Sequence, residues 1–458
     1  MVKSKKTIYG LTLIALFIIA IPAIWFFTII FEKEKPVINP DTLPDFISQK
    51  QKIQISISDM KLGIRELKVS YIQGAREVTL LEKEFPYKEF LNKNGVREYT
   101  EVIELDPMEL RLAQGKLDFK IQACDYSKRN GGDGNISIIK HSMIVDTIPP
   151  AIRARSRQHY FEQGGSGIIT YKTSPDTVES GVYVNDKFFK GFPAGVGYEE
   201  ETCVAYFALP FNEGDDPEIY LWAKDKASNT TQSAFYYHIK KKSFRDDSIT
   251  VSDRLLKRIL PNFDYCRFDP ALSDVDKFVK INNELRKKNK DYLLELSKET
   301  KPEKLWEGAW KRMKGAEMAG FADHRSYLYN DEKIDDQNHM GVDLASFANS
   351  PIEAANDGVV IFAQKLGIYG LTVVIDHGQG LSSLYGHLSS FSVAQGSVVK
   401  KGDVIAYSGR TGLANGDHLH FSILVHGIFV NPLEWWDTHW IKNNITRKLD
   451  LIKKHNDR

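Results

Sequence analysis

The chain has 458 residues, 42% of them hydrophobic, too many for one ordinary core, so two or three domains are expected. Its 61 basic and 60 acidic residues leave a formal net charge of +1, which excludes a dedicated nucleic-acid binder built on basic excess. The three cysteines, Cys124, Cys203 and Cys266, are far apart and form no CxxC pair, which excludes a thiolate zinc site and a disulfide scaffold.

The N-terminus comes first in chain order. Lys3, Lys5 and Lys6 precede an uncharged run from Thr7 to Phe31. At about 1.5 Å per residue such a run crosses a hydrocarbon core about 30 Å thick. It exceeds the roughly 7–15 apolar residues of a signal-peptide core, and no small-x-small cleavage site follows it. A retained anchor is therefore expected over a cleaved signal peptide. Residues 1–35 read as cytoplasmic stub and transmembrane anchor, with the membrane contacted through residues 7–31 and the lysines on the cytoplasmic side.

Pro36, Pro40 and Pro44 mark a short linker. From there strict alternation, as in Ile53, Ile55 and Ile57 or Leu117, Phe119 and Ile121, predicts strands with one buried face. A weak internal repeat accompanies it. Ala123-Cys124-Asp125 ends one alternating run, with Ser127 and Asn130 after it; Ala223-Lys224-Asp225 ends another, with Ser228 and Asn229 after it. The offset approaches the size of one immunoglobulin-like sandwich. Between them Asp146-Thr147-Ile148-Pro149-Pro150 cannot continue a ladder and resembles the joints of tandem bacterial Ig-like modules. Two Ig-like β-sandwich modules are expected, at 50–148 and 149–242.

Residues 245–318 are expected to form a helical linker. Ser273 and Asp276 read as a capping box, and Phe278, Ile281, Leu285, Tyr292 and Leu296 recur at helical spacing. Pro302 suits the first turn of a further helix carrying Leu305, Trp306 and Trp310. Glycine-punctuated short strands then predict a compact antiparallel sheet between 319 and 440, followed by a basic C-terminal tail, 441–458, ending in a helix.

The residues that carry chemistry fall in this last β region. In His339-Met340-Gly341-Val342-Asp343 an extended chain turns 339, 341 and 343 to one face, and Gly341 offers no side chain to obstruct a metal. His418-Leu419-His420 sets two imidazoles on one strand face, and His387 stands in Tyr385-Gly386-His387-Leu388. Three protein ligands drawn from His and Asp, with a fourth position open to water, make a catalytic zinc site, and the remaining histidines are available for proton transfer. His377 and His426 match none of these motifs and read as structural.

Together the motifs resemble those of the M23, or LytM-type, zinc endopeptidases of bacterial cell walls. The resemblance spans Gly320 to Pro432. It rests on His339-Met-Gly-Val-Asp343, Asp357-Gly-Val-Val, Val374-Ile-Asp-His-Gly378, Tyr385-Gly-His387-Leu, Val399-Lys-Lys-Gly-Asp403, Ser408-Gly-Arg-Thr-Gly412 and His418-Leu-His420-Phe, ending at Asn431-Pro432. Ala322 to Tyr327 is similar to the segment that opens this domain, and Asn415-Gly416-Asp417 departs from the usual approach to the HxH pair. The resemblance implies that His339, Asp343 and His420 hold one Zn²⁺, and that His387 and His418 handle protons. It implies hydrolysis of peptide bonds in peptidoglycan stem or cross-link peptides, through a zinc-bound water whose pKa falls to about 7. The expected whole is a mostly β protein: an N-terminal transmembrane helix, two Ig-like modules, a helical linker and a LytM-type antiparallel sheet. It would be single-pass in the inner (cytoplasmic) membrane, N-terminus cytoplasmic, catalytic domain in the periplasm or on the outer face. Peptidoglycan is the expected partner, with envelope proteins reached through the Ig-like modules. The alternative is a wall-binding or regulatory module that activates another hydrolase, which missing ligands would favour.

Overall fold

The computed structural model describes residues 3–214 and 216–454. Residues 1–2 of the expected stub and 455–458 of the expected tail lie outside them, as do the side chains of Lys3, Lys5 and Lys6. The chain is mostly strand, with an N-terminal apolar helix and an antiparallel sheet near the C-terminus. It divides into two compact units, Met1–Pro149 with Lys226–Asn229, and Pro150–Asp225 with Thr230–Arg458.

The first unit opens with the helix Lys3–Ile30, whose stretch Tyr9–Ile30 is long and apolar enough to cross a membrane. Leu11, Phe17, Ile19 and Trp25 stand exposed around it. A helix apolar on all sides is stable only where something other than water covers it. Its β portion follows from alternation. Ile53, Ile55 and Ile57 of the strand Gln51–Ser58 are buried while Lys52 and Gln54 face out. Leu117, Phe119 and Ile121 of Gly115–Asp125 do the same. The first strand belongs to a three-stranded sheet and the second to a five-stranded one. Their inward residues join one core, so the two sheets form a sandwich. Each buried Ile, Leu or Phe contributes about 1.5–3 kcal/mol. Asp125 ends its strand and is itself buried.

The second unit holds two four-stranded sheets between Ile152 and Ala234, a helical segment, and a ten-stranded sheet. Across that last sheet the hydrogen-bonded neighbours run Ala316–Ala319, Val342–Ala345, Leu419–Val425, Leu381–Phe391, Leu371–Asp376, Gly358–Lys365 and Val398–Val399, all antiparallel. The two regions share one apolar core: Tyr206 packs on Trp306 and Trp435. The segment after Ser273 is helical as its spacing predicts. Ser273 and Asp276 make the reciprocal capping-box bonds, and the helix Asp274–Lys280 passes through a π turn into Arg286–Leu296.

The expected helix at Pro302–Trp310 does not form. Its backbone groups are taken elsewhere: Leu305 N–H donates to the His377 carbonyl and Trp310 N–H to that of Trp435, each at 2.9 Å. Every backbone donor needs a partner, and these find theirs across the fold instead of four residues back. The irregular strap lets Trp306 and Trp310 both bury against Trp435. The C-terminal tail is basic, yet Ile441, Ile445, Leu449 and Ile452 enter the same core, and Lys448 Nζ donates to the Ile168 carbonyl at 3.0 Å.

One buried acid ties the tail side of the unit to its first sheets. Glu434, in the short helix Pro432–Trp436, accepts through Oε2 from the backbone N–H (2.8 Å) and hydroxyl (2.9 Å) of Ser166. Position 165 must be glycine for this approach, since a Cβ there would lie 2.2 Å from Glu434 Oε1. Burial, only partly opposed by the Ser166 donors, lifts the carboxyl from 4.5 to about 8. The folded state thus binds this proton more tightly than the unfolded chain. The resulting stability, on the order of a few kcal/mol, is complete below pH 4.5 and lost as pH climbs through about 8. Glu434→Gln keeps an acceptor without a charge. Its Tm, followed by circular dichroism, should fall less steeply across that window than the native chain's. Equal slopes would clear Glu434 of the effect.

Candidate active site

The hairpin β1 (His324–Tyr329) and β2 (Glu332–Asn338) delivers the chain directly to His339. The strand β3 (Val342–Ala345) follows, and carries Asp343. Two long central strands complete the floor, β4 (Leu381–Phe391) and β5 (Leu419–Val425). Asp343 lies opposite His420 in the β3–β5 register, and Gly386 lies opposite His420 in the β4–β5 register. The three motifs, up to 81 residues apart, are therefore brought side by side by strand pairing. Gly341 is needed for the same reason. A Cβ there would meet the Phe421 carbonyl at 2.6 Å and the His420 ring at 2.7 Å, so its role is close approach to β5 and not only clearance for a metal.

Three side chains converge. Asp343 Oδ1 lies 2.9 Å from both His339 Nε2 and His420 Nδ1, and those two nitrogens are 3.0 Å apart. All three residues are buried. Their outer atoms decide which way the lone pairs point. His339 Nδ1–H donates to the Gly320 carbonyl at 2.8 Å, leaving Nε2 as the inward acceptor. Ser422 spends its hydroxyl proton on the Met340 carbonyl at 2.7 Å, so at 3.0 Å it accepts from His420 Nε2–H. That leaves His420 Nδ1 as an inward lone pair. Arg325 holds the other carboxylate oxygen, Asp343 Oδ2, at 3.0 Å. Three acceptors facing one another within 3.0 Å repel unless a cation sits among them. Two imidazoles and a carboxylate are also a donor set that zinc favours. The residues present fit the metal.

Two more imidazoles face the same cleft. His387 Nδ1–H donates to the Thr411 carbonyl at 2.8 Å, and His418 Nδ1–H to that of Gly416 at 2.9 Å. Both therefore keep a free Nε2, and their rings are 4.8 Å apart. His418 Nε2 stops 3.6 Å from Asp343 Oδ1, outside the tight cluster. His387 is set by an irregularity: at this point β4 stops pairing with β5 and begins to pair with Val404–Ser408. Its φ is +61°, a left-handed conformation costing a β-carbon residue about 1–3 kcal/mol and found where a function keeps it.

The electrostatics divide the five. Burial, reinforced by the rings of His418 and His420, holds His387 well below the ordinary imidazole range, so it is neutral at pH 7. Burial also lowers His420, to about 4. Burial alone would lower His418, but the nearby Asp343 carboxylate and the Gly416 carbonyl outweigh it and raise the imidazole. For Asp343 burial opposes ionisation, but the adjoining imidazoles overcome it and hold the carboxylate well below its usual value.

The expected site residues thus share one cleft, whose far wall includes Ile249, Ile259, Arg325 and Tyr327. His377 and His426 do not reach it. His377 is buried between the Asp357 carbonyl and Ser383, and His426 against Phe189 and Phe192. Residues 337–432 match the model of peptidase family M23. The C-terminal part of this chain is an M23 peptidase domain. The M23 region is 44% identical over 95 residues to the DD-carboxypeptidase/endopeptidase Mpg of Neisseria meningitidis, covering 21% of this chain and 22% of that protein. It is also 36% identical over 109 residues to the murein hydrolase activator EnvC of Escherichia coli, covering 24% and 26%. Among solved structures it is similar to the catalytic domain of the antimicrobial peptidase lysostaphin from Staphylococcus simulans. That likeness has 25% identity, covers 27% of this chain and 92% of that one, and has a TM-score of 0.23. The chain spans about a fifth to a quarter of the curated relatives' length.

Arg325 and Ser422 were not among the expected site residues. Ser422 continues the 418, 420 alternation of β5, so the period-two pattern carried a signal for it. Arg325 had only its place in the opening segment.

Proposed function

We propose that this chain is a zinc-dependent endopeptidase that cleaves peptide bonds in the stem or cross-link peptides of peptidoglycan, held at the membrane by its N-terminal helix. The observation that carries this reading is the complete constellation: three converging acceptors beside two histidines with free Nε2 atoms. His339, Asp343 and His420 would hold the metal. Zinc there supplies Lewis-acid polarisation of a scissile carbonyl and acidifies a water. His387, neutral and anchored at Nδ1 by Thr411, is suited to accept a proton from the attacking water. His418, anchored at Nδ1 by the Gly416 carbonyl with Nε2 turned to the cleft, would in its protonated form bond the developing oxyanion and return a proton to the leaving amine. Arg325 keeps Asp343 turned so that one oxygen faces the imidazoles. The substrate class is supported by the similarity to Mpg, named as a carboxypeptidase and endopeptidase.

A regulatory role is the second reading, favoured by the similarity to a murein hydrolase activator. The intact set of side chains weighs against it. The two separate on purified peptidoglycan incubated with the full-length, zinc-loaded chain in detergent, with fragments identified by mass. New peptide ends from the chain alone are expected. Fragments that appear only when a second hydrolase is added would replace the enzymatic reading with the regulatory one.

A further inference from the structure

Just beyond the N-terminal helix the chain is fastened to the first sandwich by the turn that follows Asp125. Lys128 N–H donates to the Ile30 carbonyl at 2.8 Å, Ser127 Oγ–H to that of Glu32 at 3.1 Å, and Asn135 Nδ2 to that of Glu34 at 2.9 Å. Glu32 follows this docked backbone inward and is only 2% exposed. Its Oε1 accepts from Leu62 N–H at 3.2 Å, but the buried Oε2 has no hydrogen-bond partner. Oxygens of Asp59 and Asp125, both buried, lie with Glu32 inside a group whose ligand atoms are all within 4.8 Å of one another.

No cation touches them, although the Arg97 guanidinium lies close enough to ease Asp59 and the Lys61 ammonium to ease Glu32. Among the described residues none of the three carboxylates is in an ion pair, and nearby Lys61 is bound to Glu34 at 2.7 Å. The donors they do have are neutral: Gly63 N–H to Asp59 at 2.7 Å, Ser127 and Asn135 N–H to Asp125 at 2.9 and 2.7 Å. Burying charges without a partner costs several kcal/mol each. Burial, with Asp59 adding repulsion, pushes Glu32 up to about 7. A buried carboxylate with an orphaned oxygen, gathered with two other buried carboxylates, is what a missing cation leaves behind. The donors are all hard oxygens with no imidazole or thiolate, which selects calcium over zinc.

We propose that Glu32, Asp59 and Asp125 form a calcium site that clamps the segment leaving the N-terminal helix onto the first β-sandwich. The internal repeat supports it. Asp225, 100 positions after Asp125, likewise ends a strand and is buried, and in the second unit it places a carboxylate oxygen within 4.8 Å of one from Asp176. The strand-end acid with an acid neighbour is thus a recurring feature of these β regions.

The test uses the full-length chain in detergent, freed of divalent ions and titrated by equilibrium dialysis with radioactive calcium to about 5 mM. That range exceeds the roughly 10⁻⁴–10⁻³ M dissociation constants of extracellular calcium modules. Saturable uptake is expected in the native chain and in His420→Ala, and at least tenfold weaker uptake in Glu32→Gln and Asp59→Asn. Folding is checked on the same samples. Glu32→Gln removes an unpaired charge, so without calcium its Tm should equal or exceed the native value. Calcium should raise the Tm of the native chain and of His420→Ala by about 2–5 °C and leave that of Glu32→Gln unchanged. Absence of saturable uptake, equal uptake in Glu32→Gln, or loss of uptake in His420→Ala would each overturn the site.

Discussion

Replacing His420 by alanine should abolish stoichiometric zinc binding and, with it, the proposed hydrolysis of peptidoglycan. The expectation follows from the hydrogen bonds behind the ring. Ser422, its proton committed to the Met340 carbonyl, orients His420 so that Nδ1 points at His339 Nε2 and Asp343 Oδ1. Removing that ring leaves one imidazole and one carboxylate. Arg325 already draws on the carboxylate, so it alone cannot compensate. Two ligands fall short of the three that a catalytic zinc site uses. Elemental analysis of the purified variant reads the result directly. A full zinc complement would take His420 out of the ligand set, and His418 would then be the ring to replace. The fold is expected to persist, since β5 is held by Leu419, Phe421, Ile423 and Val425 on its other face, all buried.

Much of this arrangement is legible in the sequence. His339, Asp343, His387, His418 and His420 stand in short motifs whose local geometry depends only on strand alternation, and pairing of β3, β4 and β5 then closes the distances. What the sequence did not disclose are partners chosen by tertiary register. The carbonyls of Gly320, Thr411 and Gly416 that set three tautomers are backbone groups any residue could supply. The left-handed turn at His387 likewise depends on which strand β4 meets next. The Pro302–Trp310 strap failed as a helix for a related reason. Local preference favoured a helical turn, but the donors of Leu305 and Trp310 found carbonyls across the fold. An apolar pattern says that a face will be buried and not against what, so neither the docking of the tail nor the core shared between Tyr206 and Trp306 could be read from it.

The sharpest separation of roles lies within the histidines. His387→Ala and His418→Ala should both retain zinc and fold while losing activity by about 10²–10⁴, the usual contribution of a positioned acid or base. The His387 side chain is hydrogen-bonded to Thr411 and to none of the three converging residues, and its ring stands 5.7 Å from that of His420 between centroids, so its loss leaves the converging acceptors intact. His418 is the closer case. It shares a strand face with His420, and Nε2 lies 3.6 Å from Asp343 Oδ1, against 2.9 Å for the two inner imidazoles. That extra distance keeps it at the edge of the cluster, where a fourth protein ligand would otherwise close the position a water needs. The backbone adds an asymmetry between the two variants. His387→Ala keeps a β-carbon at a φ of +61°, so the conformational strain persists while the bond to Thr411 that offsets it is lost. Its Tm should therefore fall further than that of His418→Ala, and His387→Gly should recover part of the difference without recovering activity. Zinc content, Tm and peptide release are measured on the same preparation of each variant. Loss of zinc from His418→Ala with retention in His420→Ala would reverse the assignment within the pair. Full activity in both His387→Ala and His418→Ala would mean that neither moves a proton in the reaction, and the proton-transfer roles assigned to them would fall while the metal-centred reading stands.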